Sequence, residues 1–121
     1  MIRSTMTALA LAATLATPVS AAMTTGTFVT RARALQAEGM GAVLDPEFQT
    51  LRGEAQAATQ QLKADRAARQ AAGKKPIACV PEGQSLGILE MLAGLDALSP
   101  AEKRLPLKDG YAHVLAKRFP C

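Results

Sequence analysis

The sequence predicts an all-α protein: a small bundle of about four helices, closed by one disulfide, that follows a cleaved signal peptide. Three observations lead to this prediction. Apolar residues recur at the helical spacings of three and four in several segments, and no segment alternates apolar and polar residues over the length of a strand. The chain holds two cysteines among 121 residues. Its N-terminus has the organisation of a secretory leader.

The N-terminal segment is predicted to be a signal peptide. Arg3 supplies a positive charge, residues 6–16 are uncharged and mainly apolar, and residues 18–22 end the segment with small side chains. The apolar stretch is shorter than the roughly 20 residues that cross a bilayer, so we expect cleavage and no membrane anchor afterwards. Cleavage after Ala21 and after Ala22 both fit, and no cysteine stands at either cut to carry a lipid.

The signal peptide covers residues 1–22, and the mature part, residues 23–121, is expected to be a single helical domain in the periplasm. Removing the leader takes away one of the 14 basic residues and none of the 10 acidic ones, which leaves a net charge of +3. The basic residues are spread along the chain and aromatic residues are few, so we expect no nucleic-acid partner. With no tryptophan and many alanines, the domain can bury only a modest core.

Cys79 and Cys121 are the two cysteines, and both lie in the mature part. An even number of cysteines in an oxidising compartment predicts a disulfide, and these two allow one intramolecular pairing. Closing this loop should stabilise the fold by roughly 4 kcal/mol in the chain-entropy estimate. The disulfide is therefore expected to be a large part of the stability of so small a domain.

The first helix is predicted over residues 26–38. Thr24 and Thr25 can cap its start, and Gly39 ends it. Its apolar residues fall at spacings of four and three on one face: Phe28, Ala32 and Leu35. A turn and a short apolar stretch lead from this helix to the next.

The second helix is predicted to be long, over residues 46–72. Asp45-Pro46-Glu47 provides an N-cap, a proline at the first helical position and an acid in the first turn, and Gly73 stops the helix. The last third is polar and rich in alanine. We therefore expect a solvent-exposed helix end, supported by a pair between Asp65 and Arg69, in preference to a charged docking surface.

A proline-containing loop over residues 77–84 separates the second helix from a third. Ser85 can cap the third helix. This is the most apolar stretch of the mature part and is expected to be core or a buried interface through Leu86, Leu89, Met91, Leu92 and Leu95. Its length and period both predict a helix.

The last helical segments begin at Ser99-Pro100-Ala101-Glu102, where the spacing of serine and glutamate predicts a capping box. A short helical turn begins there. A final helix runs to about Arg118, outlined by Leu105, Leu107, Tyr111, Val114 and Leu115. Phe119-Pro120-Cys121 then closes the chain.

Catalytic and metal-binding patterns are not found in the sequence. His113 is the sole histidine, and no paired-histidine or Cys-x-x-Cys spacing occurs. A nucleophile pair of Cys79 and His113 would need a free thiol, which the disulfide removes. We therefore expect no metal, no cofactor and no enzymatic activity.

The C-terminal half resembles the Tai or Rap immunity family. The resemblance covers residues 77–121: a turn at Cys79-Val80-Pro81-Glu82-Gly83, an amphipathic helix after it, and the ending Ala-Lys-Arg-Phe-Pro-Cys. Members of that family are small helical periplasmic proteins that protect bacteria from peptidoglycan amidases injected by type VI secretion. The resemblance identifies Cys79 and Cys121 with the family's disulfide, Pro81 and Gly83 with its turn, and Phe119 and Pro120 with its closing dipeptide.

The resemblance implies a binding protein that occludes a secreted enzyme, an amidase. In the family the toxin contacts loops and helix ends, and no motif assigns toxin-binding residues in this chain. A second interpretation is a small periplasmic stress protein of the helical acid-chaperone kind, which also uses one disulfide and few helices. The sequence leaves a homodimer open.

Overall fold

A computed structural model describes residues 23–121, so the signal peptide predicted over residues 1–22 lies outside the described residues. The described part is all-α, and the two cysteines form the predicted disulfide. Its elements are α1 (Thr25–Ala37), a 3₁₀ segment (Gly39–Leu44), α2 (Pro46–Ala71), α3 (Ile88–Asp96), α4 (Pro100–Lys103) and α5 (Leu107–Arg118). Extended pairing in this part of the chain is limited to one isolated bridge, between Thr24 and Pro106.

The local signals that predicted the ends of α1 and α2 are confirmed. The Thr24 hydroxyl accepts a hydrogen bond from the backbone N–H three residues later at 3.2 Å, and the Asp45 carboxylate accepts one from the N–H two residues later at 2.9 Å. Gly39 and Gly73 follow the two helices with φ of 66° and 69°, a conformation that glycine adopts without strain. Each signal acts over a few residues, which is why the sequence reveals it.

The capping box before α4 is also confirmed. The Glu102 N–H donates to Ser99 Oγ at 3.2 Å, and the Ser99 N–H donates to Glu102 Oε1 at 3.1 Å. The Ser85 cap, in contrast, is wrong, because α3 begins at Ile88 after an extended Gly87. The segment before α3 has no regular secondary structure, and its half-buried Leu86 side chain packs against the core.

The predicted pair between Asp65 and Arg69 is wrong. Asp65 faces α5, where the Lys108 ammonium lies 3.2 Å from its Oδ2. Arg69 Nε instead donates to the Lys75 carbonyl at 2.8 Å, beyond the end of α2. Packing of α2 against α5 brings Lys108 to Asp65. The sequence pattern within α2 does not reveal this partner, because it comes from another helix. The last third of α2 is largely exposed, as predicted.

The core lies where α1, α3 and α5 meet, and α2 packs across α1 and α5. The Phe28 and Tyr111 rings make an edge-to-face contact with centroids 6.4 Å apart. The buried apolar residues form one cluster: Phe28, Val29, Leu35, Leu51, Ala58, Leu92, Leu95, Leu98, Leu107, Tyr111 and Val114. The last helix is therefore central to the bundle.

The helices approach most closely at two glycines. Gly110 of α5 lies against Thr25, which is fully buried and whose Oγ1 donates to the Leu105 carbonyl at 3.0 Å. A Cβ on Gly110 would overlap Thr25 Oγ1 and lie 2.7 Å from its Cγ2. A Cβ on Gly94 of α3 would lie 2.6 Å from Val114 Cγ1. Glycine at these positions lets α5 approach α1 and α3.

Candidate functional site

An open cleft separates α2 from α3. Both helices pack against α1 and α5, but they make little or no direct contact with each other. The space between them has a volume of about 1090 Å³, slightly above the usual range for ligand-binding clefts. α1 and α5 form its floor through Phe28, Ala32, Leu35, Tyr111, Ala112 and Leu115. One wall is α2, and the other is α3 with the segment before it.

Large apolar side chains stand exposed at the mouth of this cleft. Ile88 and Leu89 in the first turn of α3 are 87% and 65% exposed, and Ile77 is 49% exposed. Leu89 therefore does not belong to the core, which was one of the two positions predicted for it, and a buried interface stays a prediction. Leu92 and Leu95, further along α3, take the buried positions against α1 and α5. An apolar cleft with an exposed apolar rim is typical of an interaction site.

The charge of the cleft lies on the α2 wall. Four cationic side chains line it, from Arg52, Lys63, Arg66 and Arg69. Asp65 is the one carboxylate among the lining residues, and it is paired with Lys108 of α5. The opposite wall contributes polar but uncharged side chains. The lining therefore combines an apolar floor with one positively charged edge.

The residues on which the family resemblance depends lie together beside the cleft. Cys79 and Cys121 are bonded with Cα atoms 4.9 Å apart, and the Cys79 N–H donates to the Phe119 carbonyl at 2.9 Å. Both cysteines and Pro120 are solvent-exposed, and Phe119 is half-buried. These bonds hold the end of α5 to the loop that precedes α3. That loop lines the cleft through Pro76, Ile77, Ala78 and Val80.

Pro81 and Gly83 form the predicted turn next to the disulfide. The Gln84 N–H donates to the Pro81 carbonyl at 3.1 Å, and Gly83 has φ of 78°. This is the hydrogen bond of a four-residue turn that needs positive φ at its third position, which glycine supplies. The turn reverses the chain between the disulfide and the extended stretch leading to α3. The predicted site residues thus attach the loop before α3, which forms part of one cleft wall, to the end of α5.

The one histidine lies in a surface cluster that does not line the cleft. His113 Nδ1 is 3.0 Å from Glu102 Oε2, and Lys117 Nζ is 3.3 Å from Glu102 Oε1. Hydrogen bonding from the Ser99 backbone N–H lowers the pKa of Glu102 despite some desolvation, and Lys117 lowers it further. The cluster joins α4 to α5 and contains one carboxylate.

Tyr111 is the polar aromatic residue of the cleft floor. Burial raises the pKa of its phenol, because the charged phenolate would lose hydration. Cys79 is held in the disulfide, so the nucleophile pair with His113 has no thiol to ionise. Within residues 23–121, no group of three or more histidine, cysteine or acidic side chains is arranged to hold a metal ion.

The sequence predicts core or a buried interface for the apolar residues of α3, and does not identify the side chains that stay exposed at the cleft. One signal could have indicated them: α3 carries five large apolar residues in its first eight positions, at Ile88, Leu89, Met91, Leu92 and Leu95. One face of a helix this short cannot bury all five, so some of them must face outward. The cations of α2 fit a docking surface as well as a solvent-exposed helix end, and the sequence favours the exposed end because a charged helix surface is common in soluble proteins.

Among the described helices, none combines the length and apolarity that a membrane span requires. Comparison with protein-family models, with curated proteins and with solved structures finds no match to this chain.

Proposed function

We propose that this protein is a non-catalytic binding module that occludes a secreted enzyme in the periplasm, in the manner of Tai or Rap immunity proteins. The observation that carries the proposal is the open apolar cleft between α2 and α3, with Ile88 and Leu89 exposed at its mouth. Leaving these side chains in water forgoes about 1.5–3 kcal/mol of burial for each of them. A partner that covers them recovers this free energy.

The attachment of the loop before α3 to the end of α5 favours a partner of defined shape. The disulfide, the bond from Cys79 to Phe119 and the turn at Gly83 fix the loop before α3 to the end of α5. A preformed surface loses less conformational entropy on binding than a flexible one. The residues that resemble the immunity family are the same ones that make these attachments. This correspondence supports occlusion of one enzyme over capture of many unfolded chains.

The proposal predicts that a peptidoglycan amidase is inhibited and that Leu89→Asp weakens the inhibition by at least about tenfold, as expected for a central apolar contact. Leu44→Asp is the matched control, since Leu44 is 87% exposed and does not line the cleft. The test measures hydrolysis of peptidoglycan by each class of type VI amidase, and by any exported enzyme encoded beside this gene. Growth of cells that export the enzyme and each variant provides a second readout.

Three results are informative. Inhibition that is lost in Leu89→Asp and kept in Leu44→Asp supports both the function and the site. No inhibition of any of these enzymes refutes the immunity function. Suppression of aggregation for many unrelated acid-denatured proteins, with no enzyme inhibited, would identify the protein as a stress chaperone instead.

A further inference from the structure

We infer that the cleft holds an acidic amphipathic helix of the partner protein, with its apolar face on the floor and its acidic edge along α2. The inference rests on the proposed function, because that function places a partner in the cleft. It goes further by defining the chemistry of the contacting segment.

The cleft is long enough to take one helix of a partner. The lining of α2 extends from Phe48 to Arg69, a rise of roughly 30 Å along the helix axis. α2 and α3 flank the gap and both rest on α1 and α5, so the gap is an unfilled position in the bundle. Packed helices lie about 8–10 Å apart, and an added helix would contact α2, α3 and the floor together. Apolar side chains at helical spacing would then meet the floor at Phe28, Leu35 and Leu115.

The charge of the cleft selects an acidic helix. Lys63, Arg66 and Arg69 line its edge within about 9 Å of helix rise. The one lining carboxylate, Asp65, is already paired with Lys108. Glutamates or aspartates at every third or fourth position of an incoming helix would face these cations and complement their potential.

A second copy of this chain is a poorer occupant. In a two-fold dimer formed through the cleft, an axis across the cleft brings the cationic edge of each α2 to the same edge of its partner, and an axis along the cleft brings that edge to the partner's α3 wall, whose lining is uncharged. The cleft lining offers no carboxylate beyond Asp65 to offset that repulsion. Neither arrangement therefore gives the cationic edge the carboxylates that an acidic partner would supply.

The test measures binding of two labelled model peptides to the mature protein by fluorescence anisotropy. Both peptides are amphipathic helices of about 18 residues, long enough to follow most of the α2 wall. One carries glutamates beside its leucine face, and the other carries lysines at the same positions. We expect the glutamate peptide to bind at least about tenfold more tightly at low ionic strength, and the difference to shrink as salt screens the charges.

Charge reversal on α2 tests the assignment of the edge. Arg66→Glu should weaken binding of the glutamate peptide and strengthen binding of the lysine peptide. Arg104→Glu makes the same change in net charge at an exposed position that does not line the cleft, and should leave the preference intact. Circular dichroism of each variant establishes that the helices are retained.

The outcomes separate this inference from the proposed function. Equal binding of both peptides, abolished by Leu89→Asp, would refute the acidic helix and leave the apolar docking site standing. Binding of neither peptide, with an amidase still inhibited through Leu89, would refute a helical occupant. Binding of oleate vesicles in place of both peptides would show that the cleft takes an anionic lipid. A preference that changes equally in Arg66→Glu and Arg104→Glu would reduce the effect to net charge.

Discussion

Gly110→Ala is expected to lower the free energy of unfolding by about 2–4 kcal/mol, the sum of overpacking and a disturbed buried hydrogen bond. The new methyl group would overlap Thr25, which is fully buried and cannot move into solvent. Displacing Thr25 also disturbs its bonds to the Leu105 carbonyl, made by Oγ1 at 3.0 Å and by the backbone N–H at 2.9 Å. Urea unfolding followed by circular dichroism measures the loss.

Gly53→Ala is the matched control for this substitution. Gly53 lies within α2, and a Cβ there would meet no atom within 4 Å. The same change should therefore stabilise the protein by about 0.5–1 kcal/mol, because alanine is the better helix former. If both variants unfold at higher urea than the wild type, the close crossing of α1 and α5 at Gly110 is wrong.

Replacing both cysteines, Cys79→Ser with Cys121→Ser, is expected to cost about 2–5 kcal/mol of stability. The bridge closes a segment with a sequence separation of 42 residues that contains α3, α4 and α5. From the sequence, a thin core with few apolar partners for the last helix predicts that α5 detaches first when the bridge is lost. The structure places α5 in the core, so we expect the loop over residues 76–87 to loosen while α5 stays packed.

Hydrogen exchange and tyrosine fluorescence distinguish early loosening of the loop over residues 76–87 from early detachment of α5. Tyr111 is the one tyrosine of the sequence, with no tryptophan to mask it, and it lies in α5 against Phe28. In the variant, the Gln84 amide should lose protection, while the α5 amides and Tyr111 emission stay close to those of the wild type. Early exchange throughout α5 with altered Tyr111 emission would instead mean that the bridge holds α5 in place.

Most of the fold could be predicted because its signals are local. The cap residues Thr24, Asp45 and Ser99 and the stops at Gly39 and Gly73 each act within one helical turn, and the sequence shows them directly. The disulfide followed from the count of two cysteines. The family resemblance and the function that it implies stay predictions.

The cleft could not be predicted, because it depends on distances between helices. Periodicity shows that α3 is apolar, but not that α1 and α5 hold it away from α2 and leave Leu89 in water. Asp65 has a plausible partner, Arg69, in its own helix, yet it forms its ion pair with Lys108 of α5. The role of Gly110 could not be predicted either. Glycine is a poor helix former, and the sequence does not show that Thr25 packs against this position.

Photo-crosslinking in the periplasm tests whether the partner docks in the cleft between α2 and α3. The photoreactive residue p-benzoylphenylalanine replaces either Leu89, at the mouth of the cleft, or Leu44, which is exposed outside it. We predict an adduct with an exported enzyme from position 89 and none from position 44, with the crosslink in an acidic helical segment of that enzyme. An adduct with the enzyme from position 44 and none from position 89 would contradict docking in the cleft.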